Sequence, residues 1–141
     1  MKTFRGEFLN VDLDFKSRID PAALLNAWNG RTLASKVQGV RGKHWFRFML
    51  TRQPKSPAEA IRRFAKLIED LPSPARRIWL HAQKEIDIGI QAGFERRPTE
   101  LVLDANVVRA LAQIGVPLRI TVYSPLSRLD YEATRKRRST A

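Results

Sequence analysis

Three aspartates are the residues of this sequence best suited to acid–base or metal chemistry. Asp12 and Asp14 lie two positions apart in a segment of alternating apolar and polar residues, and Asp87 lies in a second such segment. Residues two apart on a strand share a face, so pairing of the two segments would bring the three carboxylates together. Clustered carboxylates can hold Mg²⁺ or act as general acid and base. Acids at this spacing are also common on the solvent face of a strand, and we favour that simpler interpretation.

Other groups that carry out catalysis are sparse. The two histidines, His44 and His81, fall in different predicted elements, whereas a metal site needs several converging donors. We interpret His44 as a core residue of its strand. Ser56, Ser73 and Ser124 stand at helix caps and turns, and no phosphate-binding glycine loop or Gly-x-Ser-x-Gly motif is present. The sequence has no cysteine, which excludes disulfides and thiolate sites. We therefore predict no catalytic residue, no metal and no cofactor.

Aromatic and basic side chains form a more promising surface. Lys43, Trp45 and Arg47 alternate along one face of a predicted strand, and Arg119 and Tyr123 lie on the outward face of the last one. Such a surface can stack a nucleic-acid base on the ring and hold phosphates with the cations. Trp, Tyr and Arg are equally enriched at the centres of protein interfaces. Coverage of Trp45 by its own chain or by a second copy is a third interpretation, and the pattern leaves all three open.

Charge is the most unusual property of the composition. Lysine and arginine number 26 against 14 acids, which gives a formal net charge of +12. The tail, Arg135, Lys136, Arg137 and Arg138, supplies only four of the cations, so most of the basicity belongs to the predicted folded part. A field of this sign attracts polyanions, and the tail could act as a phosphate-seeking arm. The alternative is that the charge serves solubility alone.

Residue periodicity predicts the elements that must position these side chains. Capping signals at Asp20, Ser56 and Asp104 mark helix starts, and Gly30, Pro72 and Gly115 mark helix ends. In chain order, we predict a strand from Phe4 to Phe15 with a bulge near Gly6, a helix from Asp20, a strand from Thr32 to Val37, a strand from Lys43 to Arg52, a helix after Ser56, a shorter helix from Ser73, a strand from Glu85 to Glu95, a helix after Asp104 and a strand from Leu118 to Val122.

This order predicts an α+β fold with two layers. A mostly antiparallel sheet would carry helices packed on one face, in a ferredoxin-like or split βαβ-type arrangement. We predict one domain over residues 1–124 and a basic, disordered tail over residues 125–141. No stretch approaches the roughly 20 apolar residues of a membrane span, and no signal peptide is apparent. We therefore expect a cytoplasmic protein.

The hydrophobic spacing resembles that of the DUF4279 family of uncharacterised bacterial proteins. The resemblance covers roughly residues 3–124, includes the strand that bears Trp45, and brings no functional residue with it, because the family has no established activity. Its C-terminal half rests on Ile86, Asp87, Ile88, Gly89, Ile90, Phe94, Leu103, Val107, Leu111, Ala112, Gly115, Leu118, Ile120 and Tyr123.

These observations favour a non-enzymatic bacterial binding module that acts through a protein partner or by self-association. A nucleic-acid-binding protein that uses the basic surface, Trp45 and the tail is the alternative. A carboxylate-based, metal-dependent hydrolase built on Asp12, Asp14 and Asp87 is the second alternative, and it requires the three acids to converge within reach of one metal ion.

Overall fold

The computed structural model describes residues 6–38, 41–93, 98–124, 132–133 and 135–137. Phe94 and Arg138 lie outside these ranges. Up to residue 124, the described helices and strands follow in this order: β1 (Glu7–Ser17), α1 (Ala22–Ala27), β2 (Thr32–Lys36), β3 (His44–Leu50), α2 (Pro57–Glu69), α3 (Ser73–His81), β4 (Gln83–Gln91), α4 (Ala105–Ile114) and β5 (Leu118–Tyr123).

The alternation in β1 gives the sheet one covered and one open face. Val11, Leu13 and Phe15 are buried, while Asp12 and Asp14 between them are only partly buried. We call the side that bears Val11 the helix side and the side that bears Asp12 the open face. The alternation continues in β3 and β4, whose residues buried on the helix side are Phe48, Leu50, Ile86, Ile88 and Ile90.

Helices α2 and α4 start at their predicted caps, whereas the cap of α1 is Pro21 and not Asp20, and α1 and α2 end at Ala27 and Glu69, before Gly30 and Pro72. The Ser56 hydroxyl accepts a hydrogen bond from the Glu59 amide at 3.1 Å, and the Asp104 carboxylate accepts one from the Val107 amide at 2.9 Å. Each bond satisfies an amide that the first helical turn leaves unpaired. Gly115 ends α4 with a φ of +64°, a conformation that glycine adopts without a Cβ clash.

An aromatic cluster fills the centre of the core between sheet and helices. The Trp28 ring packs edge-on against Phe48, with ring centroids 5.0 Å apart, and against Trp79 at 5.8 Å. Its indole N–H donates to the Leu67 carbonyl at 3.3 Å, so this large side chain leaves no buried donor unpaired. Phe15 joins the cluster from the sheet by contacting both Phe48 and Trp79.

The strand order is β2-β3-β1-β4-β5. The first four strands pair antiparallel throughout and, with their helices, have the order of a ferredoxin-like, split βαβ arrangement. β5 is added outside β4 and runs parallel to it, which a helical crossover through α4 makes feasible. The predicted α+β class with a mostly antiparallel sheet and helices on one face is therefore confirmed.

Two details of the prediction need correction. The irregularity in β1 lies between Phe8 and Asn10, where the register with β4 shifts, and not at Gly6. The apolar spacing of α4 also predicts that Val108 is buried together with Val107 and Leu111, but Val108 is 52% exposed. In the part of the chain that the structure describes, we find no helix with the length and apolarity needed to cross a membrane.

Candidate functional site

The open face of the sheet carries most of the residues singled out by their chemistry. The register places side chains of four strands in a row across it, with Met49 opposite Asp12, Asp12 opposite Asp87, and Asp87 opposite Arg119. The open face lies away from the buried core, which is built on the helix side, and its residues Asp12, Asp14 and Asp87 are only partly buried. It is therefore a mixed surface of acids and cations with access to solvent.

The three aspartates do converge on this face. Asp12 and Asp87 are direct cross-strand neighbours, and Asp14 is the next residue on the same face of β1. Two of them already have partners: Arg47 Nε donates to Asp14 at 2.9 Å, and the Thr121 hydroxyl donates to Asp87 at 2.7 Å. The cluster is thus tied into the sheet by its own neighbours.

The carboxylates do not form a metal-binding arrangement. Within the described ranges, no group of three or more His, Cys, Asp or Glu side chains could hold a metal ion. The nearest further acid on the open face, Glu85, makes an ion pair with Arg119 at 2.6 Å. The second alternative, a metal-dependent hydrolase, therefore gains no support from this geometry.

Asp12 is the least compensated of the three acids. Among the described residues, the Asn10 amide alone donates a hydrogen bond to its carboxylate, at 3.4 Å. Burial raises the pKa of Asp12, and the charges of Asp14 and Asp87 raise it further, while Arg47 lowers it. Like charges in direct cross-strand contact destabilise a sheet. Electrostatic repulsion at Asp12 therefore lowers the stability of the folded protein locally.

The five residues of the predicted binding surface do not form one cluster. Lys43, Trp45 and Arg47 belong to β3 or to the residue just before it, whereas Arg119 and Tyr123 belong to β5. β1 and β4 lie between them, a separation of three strand spacings or about 14 Å. The charges of Arg47 and Arg119 are also engaged, with Asp14 and Glu85. These two arginines hold the sheet face together and are only partly available to a ligand.

Trp45 is half-buried on the open face. Lys16 from the neighbouring strand places its ammonium 4.1 Å from the centroid of the ring, a cation–π contact. The indole N–H is buried, and among the described residues it has no hydrogen-bond partner. The chain itself therefore covers part of the ring, and a base could stack on that side only after Lys16 moved away.

The outer edge of β5 is the feature that periodicity did not reveal. Leu118, Ile120 and Val122 were expected to be buried on the helix side, but they are 37%, 49% and 60% exposed. Their parity is right, since they continue the rows of Ile86 and Ile88. These side chains lie beyond the helices that cover β1, β3 and β4. The sequence did not predict this exposure, because periodicity indicates which residues share a face and not how far the helix layer extends.

Alternate backbone N–H and C=O groups of β5 also face away from β4 and do not pair with it. The carbonyl of Pro117 accepts a hydrogen bond from the Ile86 amide in β4, and that of Tyr123 accepts one from the Ala92 amide just after β4. Backbone groups alternate in direction along a strand, so those of Leu118, Ile120 and Val122 point away from the sheet. Among the described residues, no strand pairs with this edge. An edge with exposed apolar side chains and free backbone groups is a template for pairing with another chain.

The remaining predicted residues are the two histidines and the basic tail. His44 is half-buried at the start of β3 and is not part of the core, and His81 is exposed at the end of α3. Arg135, Lys136 and Arg137 are helical, but the structure does not describe most of the tail around them. The predicted disorder of residues 125–141 and their binding of polyanions stay predictions.

Comparison of the chain with protein-family models, with curated proteins and with solved structures found no match. The resemblance to the DUF4279 family stays a prediction, and the functional argument rests on the chain's own residues.

Proposed function

We propose that this protein is a non-enzymatic binding module that recognises an extended, acidic segment of a partner protein. The segment would add to the sheet as a sixth strand alongside β5. The observation that carries the proposal is the open outer edge of β5, with its exposed row Leu118, Ile120 and Val122. Addition of a strand to such an edge is a common mode of peptide recognition.

Both faces of β5 carry side chains that an added strand could contact. Apolar residues of the segment would cover Leu118, Ile120 and Val122 on the helix side. On the open face, Arg119 is 56% exposed and uses only part of its donor set on Glu85, so it can accept a second carboxylate. A segment that alternates apolar and acidic residues fits both sides.

Charge decides between the candidate occupants of this edge. A second copy would bring another net charge of +12 to the interface, and the two copies would repel each other. An acidic segment is attracted by the same field, which also speeds its encounter with the protein. We therefore favour a different, acidic chain over self-association. A cytoplasmic location belongs to the proposal and agrees with the absence of cysteine.

The test uses a synthetic, end-blocked peptide of alternating valine and glutamate, with a valine–lysine peptide of the same length for comparison. We expect the acidic peptide to shift the amide resonances of Leu118, Ile120 and Val122 in ¹⁵N spectra, and the basic peptide to have no effect. The proposal would be overturned by unshifted β5 amides at peptide concentrations up to about 1 mM, the weakest affinity worth considering.

A matched pair of proline variants locates the binding. Ile120→Pro removes an N–H that points away from the sheet, so it should abolish peptide binding while the protein stays folded. Ala34→Pro does the same on the opposite edge strand, β2, and should leave binding unchanged. If Ile120→Pro unfolds, Ile120→Glu retains the N–H and repels the acidic peptide. A dimer formed through β5 without peptide, seen by light scattering, would contradict the choice of partner.

A further inference from the structure

A cleft forms at the end of the sheet where β1 finishes. Ser17 pairs with His44 at the start of β3, and Lys16 pairs with Gln83 at the start of β4, so three strand ends meet there. Arg77 in α3 completes the wall. The cleft has a volume of about 480 Å³, within the range of small-molecule sites.

The lining of this cleft is basic and contains no acid. Arg77 and His81 are four residues apart on α3, which places them on the same face of that helix. The helical periodicity of α3 alone predicts a solvated position for Arg77, and only the fold brings it next to residues of β1 and β4 and to Lys43, just before β3. The lining residues are Lys16, Ser17, Arg18, Ile19, Lys43, Arg77, His81 and Gln83.

The cations of the cleft have no anionic partner among the described residues. In the described part of the chain, the side chains of Arg18, Lys43 and Arg77 form no ion pair or hydrogen bond, and the Lys16 ammonium lies against the Trp45 ring without an anionic partner. Asp20, the acid closest in sequence to Arg18, accepts a hydrogen bond from the Ala22 amide and does not line the cleft.

Four uncompensated like charges around one cleft repel each other, and a multiply charged anion would relieve that repulsion. Phosphate suits such a lining because its oxygens accept several charge-assisted hydrogen bonds from lysine and arginine. The carboxyl end of α3 would oppose an anion through its partial negative charge. The Lys84 ammonium offsets part of that charge by donating to the Trp79 carbonyl at 2.7 Å.

We propose that this cleft binds the phosphate groups of a small anionic ligand, through Lys16, Arg18, Lys43 and Arg77. The site is independent of the β5 edge, since it lies at the end of β1 and is built from different elements. A result for one surface leaves the other unaffected.

Calorimetric titration with inorganic tripolyphosphate at moderate salt tests the proposal. We expect Arg77→Ala and Lys43→Ala each to weaken binding about tenfold, because each removes a charge-assisted contact. Arg109→Ala is the matched control: Arg109 is exposed on α4, outside the cleft, and its loss lowers the net charge equally. It should change the affinity by less than about twofold.

The same titration with a nucleoside triphosphate and with a short single-stranded oligouridylate distinguishes the sources of the phosphate. If one of these ligands competes with tripolyphosphate and Arg77→Ala weakens its binding, that class of ligand is the occupant of the cleft. Equal losses for Arg77→Ala and Arg109→Ala would show a general attraction of polyanions by the net charge, and would overturn the proposal. Absence of tripolyphosphate binding to the wild-type protein would overturn it as well.

Discussion

Asp12 shows how neighbours, more than residue type, decide what a carboxylate does. Asp14 is bonded to Arg47 and Asp87 to Thr121, whereas Asp12 receives, from the residues that the structure describes, only a long hydrogen bond from Asn10. The spacing of the acids was readable in the sequence, and so was their shared face. Their partners were not, because these come from strands whose order no local pattern specifies.

We predict that Asp12→Asn stabilises the protein at neutral pH. The pKa of Asp12 is raised in the folded state above its ordinary value of 3.8, so the folded protein tolerates the charged form less well than the unfolded chain does. The penalty is present at neutral pH and disappears as the pH falls through the raised pKa. We expect a gain below about 1 kcal/mol at pH 7, since the carboxylate is partly solvated.

Urea unfolding of both proteins at about pH 7 and about pH 4 measures this difference. The gain should shrink at the lower pH, where wild-type Asp12 is increasingly protonated. Asp14→Asn serves as the control and should have the opposite sign at neutral pH, because it removes the partner of Arg47. An Asp12→Asn variant less stable than wild type at neutral pH would contradict the prediction.

At the scale of elements, β5 shows that periodicity predicts the face on which a side chain lies but not whether a helix covers it. The alternation of apolar residues gave the correct parity for β1, β3, β4 and β5. Coverage is a property of the helix layer, and that layer does not cover the last strand: Val122 is 60% exposed on the side where Ile88 is fully buried. The grouping of the cleft cations was not predictable from the sequence for a related reason. Lys16, Lys43 and Arg77 come together only when separate parts of the chain pack against each other.

We predict alternating amide protection along β5. The amides of Arg119 and Thr121 point towards β4 and should exchange slowly with deuterium, whereas those of Ile120 and Val122 point outward and should exchange rapidly. Exchange followed by NMR measures both sets in one experiment. Uniform protection of all four would mean that another chain already occupies the edge, and uniform rapid exchange would mean that β5 does not pair stably with β4.

At the scale of the whole molecule, net charge acts on stability as well as on partners. A formal charge of +12 on 141 residues repels itself in the compact state. Opposing this are the described ion pairs, all of them exposed in part, such as Lys66–Asp70 at 3.4 Å. Partly exposed pairs contribute little, so the repulsion should dominate the response to salt.

We therefore predict that the melting temperature rises as sodium chloride is added. Screening of the net repulsion should add on the order of 1 kcal/mol, which corresponds to roughly 3 °C or more for a domain of this size. Differential scanning calorimetry in low and moderate salt checks this. A melting temperature that falls with salt would show that the ion pairs of the open face outweigh the net charge.

The contrast among the three tryptophans gives the protein a built-in optical probe. Trp28 and Trp79 are only 1% and 3% exposed, whereas Trp45 is half-buried and lies against Lys16, a residue that also lines the basic cleft. Iodide, drawn to the cleft by its cations, should quench the fluorescence of Trp45 far more than that of the other two. Neutral acrylamide lacks this attraction, so the ratio of the iodide to the acrylamide quenching constant reports the electrostatic potential at the cleft. When an anion binds in the cleft, this ratio should fall.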